Sequence, residues 1–459
     1  MSFDVLIRGA TVVGAGSERR LDVGVLDVGV LDGLIAALGP ELTGPAAEEI
    51  DATGLHLLPG VVDAHVHMNE PGRADWEGFQ TGTRALAAGG ATAAIDMPLN
   101  AHPPTVTGAA FDEKRRCLER SALVDMALWG GLVPDGVEAM DELAARGVVG
   151  FKAFMCPSGI DDFEGVDDLT LYEGMRRAAS LGLPVAVHAE SEAITAGLAQ
   201  RARAAGRTAM RDFVASRPAV AEFQAIARAI ALAQESGCSV HVVHVSTGRG
   251  VALVADARAR GVDVSCETCP HYLVLTEEDA VALGNVAKCA PPLRSRQECD
   301  ALWTALADGT LPMVASDHSP APWALKSGED AFAAWGGISG CQTLLALLLS
   351  EGHRARGLEL DLIARVTSGY VARRFHLPGK GRVEPGADAD FVLVDLTASD
   401  ELSAEDLHYR HRHSPYIGRI LSGHVARTLV RGRTVFANGR IVGPPAGRLL
   451  IPAIETESP

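Results

Sequence analysis

A (β/α)8 TIM barrel carrying a small β-sandwich domain built from both chain termini is the fold class that this 459-residue sequence predicts. Three observations lead there. Short apolar runs alternate with amphipathic helical stretches through the middle of the chain, as in a parallel sheet covered by helices. The two ends carry short β segments broken by Gly- and Asp-rich turns. Unusual polar residues recur where the central apolar runs stop, the end of a barrel strand that carries chemistry.

In chain order, residues 4–7, 10–13, 21–25 and 33–37 read as strands. The same texture returns at 389–394 and 425–430, and 433–442 reads as a hairpin turning at Asn438-Gly439, a pair suited to a type I′ turn. Segments 1–56 and 377–459 are therefore expected to pair into the small domain, with 57–376 as the catalytic barrel. Its strands are expected at 60–66, 91–96, 124–129, 148–154, 184–188, 239–245, 262–266 and 312–316. Between them, helices over 141–146 and 221–236 stop at Gly147 and Gly237, where glycine suits the left-handed backbone of a helix end. A doubly wound sheet is the alternative, but no G-x-G-x-x-G follows any strand.

Composition narrows the function. Hydrophobic residues at 47% and charged residues at 22% fit a soluble globular protein. Lys+Arg 41 against Asp+Glu 58 leaves −17, which argues against nucleic acid as a partner because phosphates want a basic face. No apolar run has the length of a membrane span and no signal peptide is recognisable, so a cytoplasmic protein with no membrane partner is expected. Eight scattered cysteines suit reduced thiols. Cys266 and Cys269 have CxxC spacing, but with no second pair they read as a strand and its exit loop.

The strand ends hold the chemistry. His65 and His67 are two apart at the end of the first central strand, so both leave one face, as a chelating pair or as two hydrogen-bonded histidines. His188, His244 and Asp317 end the fifth, sixth and eighth strands. Four histidines and a carboxylate at the mouths of four strands point to a metal site. Lys152 interrupts the apolar fourth strand, where an unpaired ammonium is costly. It has three ways out: reaching into the barrel mouth, pairing with a carboxylate, or adding carbon dioxide as a neutral amine to become a carbamate. His241 is expected on the opposite side of its strand. His102, His271 and His318 fall in loops near the mouth, and His408, His411 and His413 in a charged segment read as a solvated loop.

The set His65-x-His67, Lys152, His188, His244 and Asp317 resembles the amidohydrolase superfamily in its cyclic-amidohydrolase branch, with dihydroorotases, hydantoinases or dihydropyrimidinases, and allantoinases. Within the branch, the stretches 63–73, 76–83, 96–100, 316–320, 335–342 and 413–418 are most similar to the allantoinase family. Dihydroorotases typically carry arginine where Asn69 stands, to grip a substrate carboxylate. Hydantoinases typically carry a tyrosine shortly after the lysine, where this chain has Met155-Cys156-Pro157-Ser158-Gly159. One departure from the allantoinase pattern is Ala321, where cysteine is common.

The resemblance implies two divalent ions, zinc first and manganese, cobalt or nickel as alternatives. His65, His67, a carboxylated Lys152 and Asp317 would hold one, and Lys152, His188 and His244 the other. It implies hydrolysis of allantoin to allantoate, with Asp317 carrying the proton and Asn69, Asn100, Cys289 and Ala290 contacting the small-molecule substrate. It also implies a homotetramer. A hydantoinase acting on another cyclic amide and a non-catalytic scaffold of the same fold are the rival readings.

Overall fold

The computed structural model describes residues 2–14 and 24–453. Strands β1 (Phe3–Val12), β2 (Gly24–Leu31), β3 (Leu34–Gly39), β4 (Ala46–Asp51) and β5 (His56–Pro59) open the chain. The central strands are β6 (Val61–Val66), β7 (Ala91–Asp96), β8 (Asp125–Leu128), β9 (Gly130–Gly131), β10 (Phe151–Phe154), β11 (Val185–His188), β12 (Val240–Val242) and β13 (Val264–Cys266). The last are β14 (Phe391–Glu401), β15 (Ile420–Val430), β16 (Arg433–Ala437) and β17 (Arg440–Ile441).

Both chain ends share one sheet, in the order β17-β16-β15-β14-β5-β1-β2-β3, with β4 also on β1. The expected strands at 4–7 and 10–13 are one strand, bent where the register slips between Ile7 and Ala10 around left-handed Gly9. The expected strand at 21–25 lies partly outside the described residues. The β16–β17 hairpin turns at Asn438 and Gly439, with φ of 51° and 75°, as the sequence pair predicts. Val5, Ile7, Val28, Ile35, Leu57, Phe391 and Leu393 pack as this sheet's own core.

The central strands are all parallel. β6-β7-β8 form one sheet and β9-β10-β11-β12-β13 another. Trp129 N donating to Asp96 O (3.0 Å) and Val149 N to Leu128 O (3.0 Å) carry the first into the second. The predicted eighth strand, 312–316, is no ladder. It closes the ring through single bridges, Thr268 with Val314 and Val66 with His318. Asp63 reinforces the closure from inside β6, accepting Ser316 N at 2.9 Å.

Alternation along the strands divides the core. Val62, Ala64, Ala93, Ile95, Ala127, Trp129, Val149, Ala186, Val243, Met313 and Ala315 gather inside with Phe375. Intervening residues such as Val61, Met126, Phe151, Val185 and Val240 pack outward with Leu86, Phe111, Met175, Ile226 and Val254 of the surrounding helices. Helices Met140–Arg146 and Ala219–Ser236 end at left-handed Gly147 and Gly237 as expected.

A buried charge cluster ties barrel to terminal sheet. Lys380 Nζ lies 2.7 Å from Asp125 of β8, 2.8 Å from Asp388 and 2.7 Å from Asp390, and Arg431 of the terminal sheet also pairs with Asp125.

Candidate metal centre

Strand ends converge on one cavity of about 800 Å³ bordered by His65, His67, Asn100, His188, His244, Cys289, Ala290 and Asp317. Nε2 of His65 lies 3.3 Å and that of His67 3.5 Å from Asp317 Oδ1. His188 Nδ1 lies 3.1 Å from His244 Nε2. The two groups meet where the His65 and His244 rings approach to 5.4 Å between centroids. His244 (φ 39°) and Asp317 (φ 46°) have left-handed backbone, a conformation costing about 1–3 kcal/mol for a non-glycine residue and concentrated at functional sites.

Lys152 lies behind this wall. It is fully buried, its Nζ has no hydrogen-bond partner among the described residues, and it sits 4.2 Å from the Phe154 ring centroid. That ring stacks on His188 at 4.7 Å. Burial pushes the amine down to about 7, against the pull of Asp317 and Glu267, so a large neutral fraction exists near neutral pH. His67, His188 and His244 are also held below the ordinary imidazole value, first by burial, which leaves ring lone pairs free to ligate. Burial would raise the Asp317 carboxyl, but the His65, His67 and His244 imidazoles outweigh it and keep the carboxylate charged.

A second layer, missed in the sequence, orients these groups. Glu267 accepts from His65 Nδ1 at 2.6 Å and from His241 Nε2 at 3.1 Å. Those imidazoles outweigh its burial and hold its carboxyl down at about 2. Glu190 lies 2.9 Å from His188 Nε2 and is itself paired with Arg217. A carboxylate behind a ligating imidazole fixes which nitrogen faces the metal.

His241 does not face outward as expected. Strand register sets Lys152, Ala186, His241 and Ser265 on one rung, so all four share the inner face. Asn100 Nδ2 lies 3.3 Å from His67 Nδ1 on the cavity wall. Asn69 is buried beside the cavity rather than bordering it, and its amide donates to Pro320 O at 3.1 Å. His102, His271 and His318 do not border the cavity either; His102 pairs with Asp162 at 2.6 Å and His318 lies 3.6 Å from Glu77. The 408–413 segment is no free loop: His413 Nε2 lies 2.9 Å from Ala321 O and Arg410 donates to Glu77.

The profile of the Amidohydrolase family matches residues 56–435. The chain belongs to that family. It is 61% identical over 454 residues to the allantoinase of Rubrobacter xylanophilus, covering 99% of both chains. It is 49% identical to the allantoinase of Deinococcus radiodurans, covering 98% of this chain and 99% of that one. Among solved structures, the L-hydantoinase (dihydropyrimidinase) of Arthrobacter aurescens superposes with a TM-score of 0.94 at 34% identity, covering 98% of this chain and 100% of that one. The dihydropyrimidinase of Brevibacillus agri gives 0.89 at 34% identity, with 97% of each chain covered. The amidohydrolase fold and the cyclic-amide relatives agree with the architecture that strand ends and terminal segments predict.

Proposed function

We propose that the protein hydrolyses the hydantoin ring of allantoin to allantoate at a binuclear metal centre. The observation that carries this is the gathering of His65, His67, His188, His244 and Asp317 on one cavity, with the buried Lys152 amine, which has no partner among the described residues, behind them. The choice of ring follows the full-length similarity to proteins named allantoinases.

The donor set fits divalent ions. The His67, His188 and His244 imidazoles, with free lone pairs, and a charged carboxylate suit zinc, manganese, cobalt or nickel. A neutral Lys152 amine can add carbon dioxide, releasing one proton and becoming a carbamate. The amine thereby becomes an anion with two oxygen ligands, able to serve two ions. His65, His67, carboxylated Lys152 and Asp317 would hold one ion, and Lys152, His188 and His244 the other. When bound, the ions supply Lewis acidity and bring the pKa of a water toward neutrality.

The chain's own residues do the rest. Asp317, charged and at hydrogen-bonding range of two imidazoles, accepts the proton of the attacking water. As the ring C–N bond breaks, Asp317 returns that proton to the departing nitrogen, and the new carboxylic acid releases the water's other proton to solvent to become carboxylate, with no covalent enzyme intermediate. Glu267 and Glu190 keep His65 and His188 in register during this cycle. Asn100 and the Cys289-Ala290 segment border the cavity and are assigned to the hydantoin and ureido groups, with Asn69 supporting them from behind.

The proposal includes division into a small domain (1–56 and 377–459) and a barrel (57–376), homotetrameric assembly and a cytoplasmic location. The location accords with eight free cysteines. Size-exclusion chromatography with light scattering tests the assembly. The second reading, a hydantoinase or dihydropyrimidinase, is favoured by the structural likeness to the Arthrobacter enzyme. Metal-reconstituted protein assayed side by side on allantoin, hydantoin and dihydrouracil separates the two. Preference for allantoin is expected, and preference for dihydrouracil overturns the choice.

A further inference from the structure

Asp317 belongs to two constellations. One is the pair of strand-one histidines; in the other, Cys269, His271 and Asp317 each present a ligand atom and the three atoms lie within 4.8 Å of one another. Both Cys269 and His271 are fully buried, and neither borders the cavity, whereas Asp317 does. They follow β13, with Cys269 just before the short helix Pro270–Val274 and His271 in its first turn.

His271 is the telling residue. Both of its ring nitrogens are buried without a hydrogen-bond partner among the described residues. A buried imidazole normally satisfies at least one nitrogen, because leaving a polar group dry costs about 1–3 kcal/mol. Here the ring instead stands among a thiol and a carboxylate with its lone-pair capacity unused. Thiol, imidazole and carboxylate at this spacing are a three-ligand set with one position left open.

We propose that Cys269, His271 and Asp317 form a further metal site, distinct from the binuclear centre, which takes a thiophilic divalent ion such as zinc, cadmium or cobalt and thereby inhibits the enzyme. Binding replaces the Cys269 S–H bond with a sulfur–metal bond and releases one proton to solvent. Thiolate and imidazole favour these ions over magnesium or manganese. Occupancy by this further ion engages the Asp317 carboxylate a second time and leaves it no free oxygen for proton transfer. General acid–base catalysis contributes a factor of about 10²–10⁴, so the loss of turnover falls in that range. Only this inhibitory consequence rests on the proposed function; the ion site stands on geometry alone.

Another buried trio, Cys156, His188 and Glu190, also brings its ligand atoms within 4.8 Å. It is the poorer host. His188 is already assigned to the binuclear centre, its Nε2 is engaged by Glu190, and the Arg217 guanidinium already sits on Glu190. A cation there would face one already in place.

The test titrates cobalt-loaded holoenzyme with further cobalt, reading thiolate-to-cobalt charge-transfer absorption, bound ions per chain and turnover of allantoin together. The ligands assigned to the binuclear centre include no thiolate, so this absorption reports the new site. It is expected to rise with one extra ion per chain as turnover falls. Cys269→Ser is expected to abolish both changes and Cys156→Ser to leave them intact. Should Cys269→Ser fail to fold, His271→Gln is expected to move both changes to higher cobalt concentration. No absorption in the wild-type protein, or absorption that follows Cys156 instead, overturns the proposal. If no cyclic amide is turned over, the functional reading falls while the absorption still decides the ion site.

Discussion

Replacing Glu267 by glutamine probes the second layer with the least change of shape. The carboxylate accepts from two imidazoles, His65 at 2.6 Å and His241 at 3.1 Å, in a fully buried setting. An amide keeps one acceptor oxygen but presents an NH2 to the other ring. One charge-assisted bond is lost, worth about 1.5–3 kcal/mol, and His65 loses the anchor that directs Nε2 toward Asp317. The expected result is about a ten- to hundredfold loss of metal affinity, with a matching fall in kcat/KM at limiting metal. Dialysis against graded chelator followed by elemental analysis reads the first; assays across a metal series read the second. A Glu267→Gln protein that retains metal and turnover like the wild type would refute the assigned role of Glu267.

Three further outcomes follow. Lys152→Ala should lose both activity and bound metal; full metal content with full activity would remove the bridging role. Asp317→Asn should keep the fold, by circular dichroism, while turnover drops by a factor of about 10² or more, and unchanged turnover would refute the proton transfer. Lys380→Met strands Asp125, Asp388 and Asp390 with one fewer cation in a buried setting, and should cost about 3–5 kcal/mol in chemical denaturation. A loss below about 1 kcal/mol would contradict the account of how barrel and terminal sheet are joined.

Much of this was legible in the chain because barrel strands announce themselves twice, by apolar runs and by polar residues at their ends. β6, β7 and β11 fall where those runs lie, and Asn438-Gly439 turns where its backbone preference says it should. The eighth segment also has an apolar run, but its backbone reaches its neighbours through single bridges, which periodicity does not distinguish from a ladder. The second layer was less visible. Glu190 stands two residues after His188, the same spacing that singled out His65 and His67, and Glu267 follows directly on the last residue of β13. Both signals are strand-end carboxylates. What pairs Glu267 with His65, 202 positions away, is ring closure, and only three dimensions supply that. The face of His241 escapes the sequence for a related reason. Counting back from His244 by alternation assigns it the wrong face, because the left-handed backbone at His244 breaks the alternation.

The central claim is that Lys152 and five strand-end side chains hold two ions on one rim. The most direct measurement is a crystal structure of the bicarbonate-grown, metal-loaded protein with anomalous scattering at the metal edge. Two peaks should appear, one among His65, His67 and Asp317 and one at His188 and His244, joined by carbamate density on Lys152. An unmodified Lys152 amine with no ion at either position would contradict it.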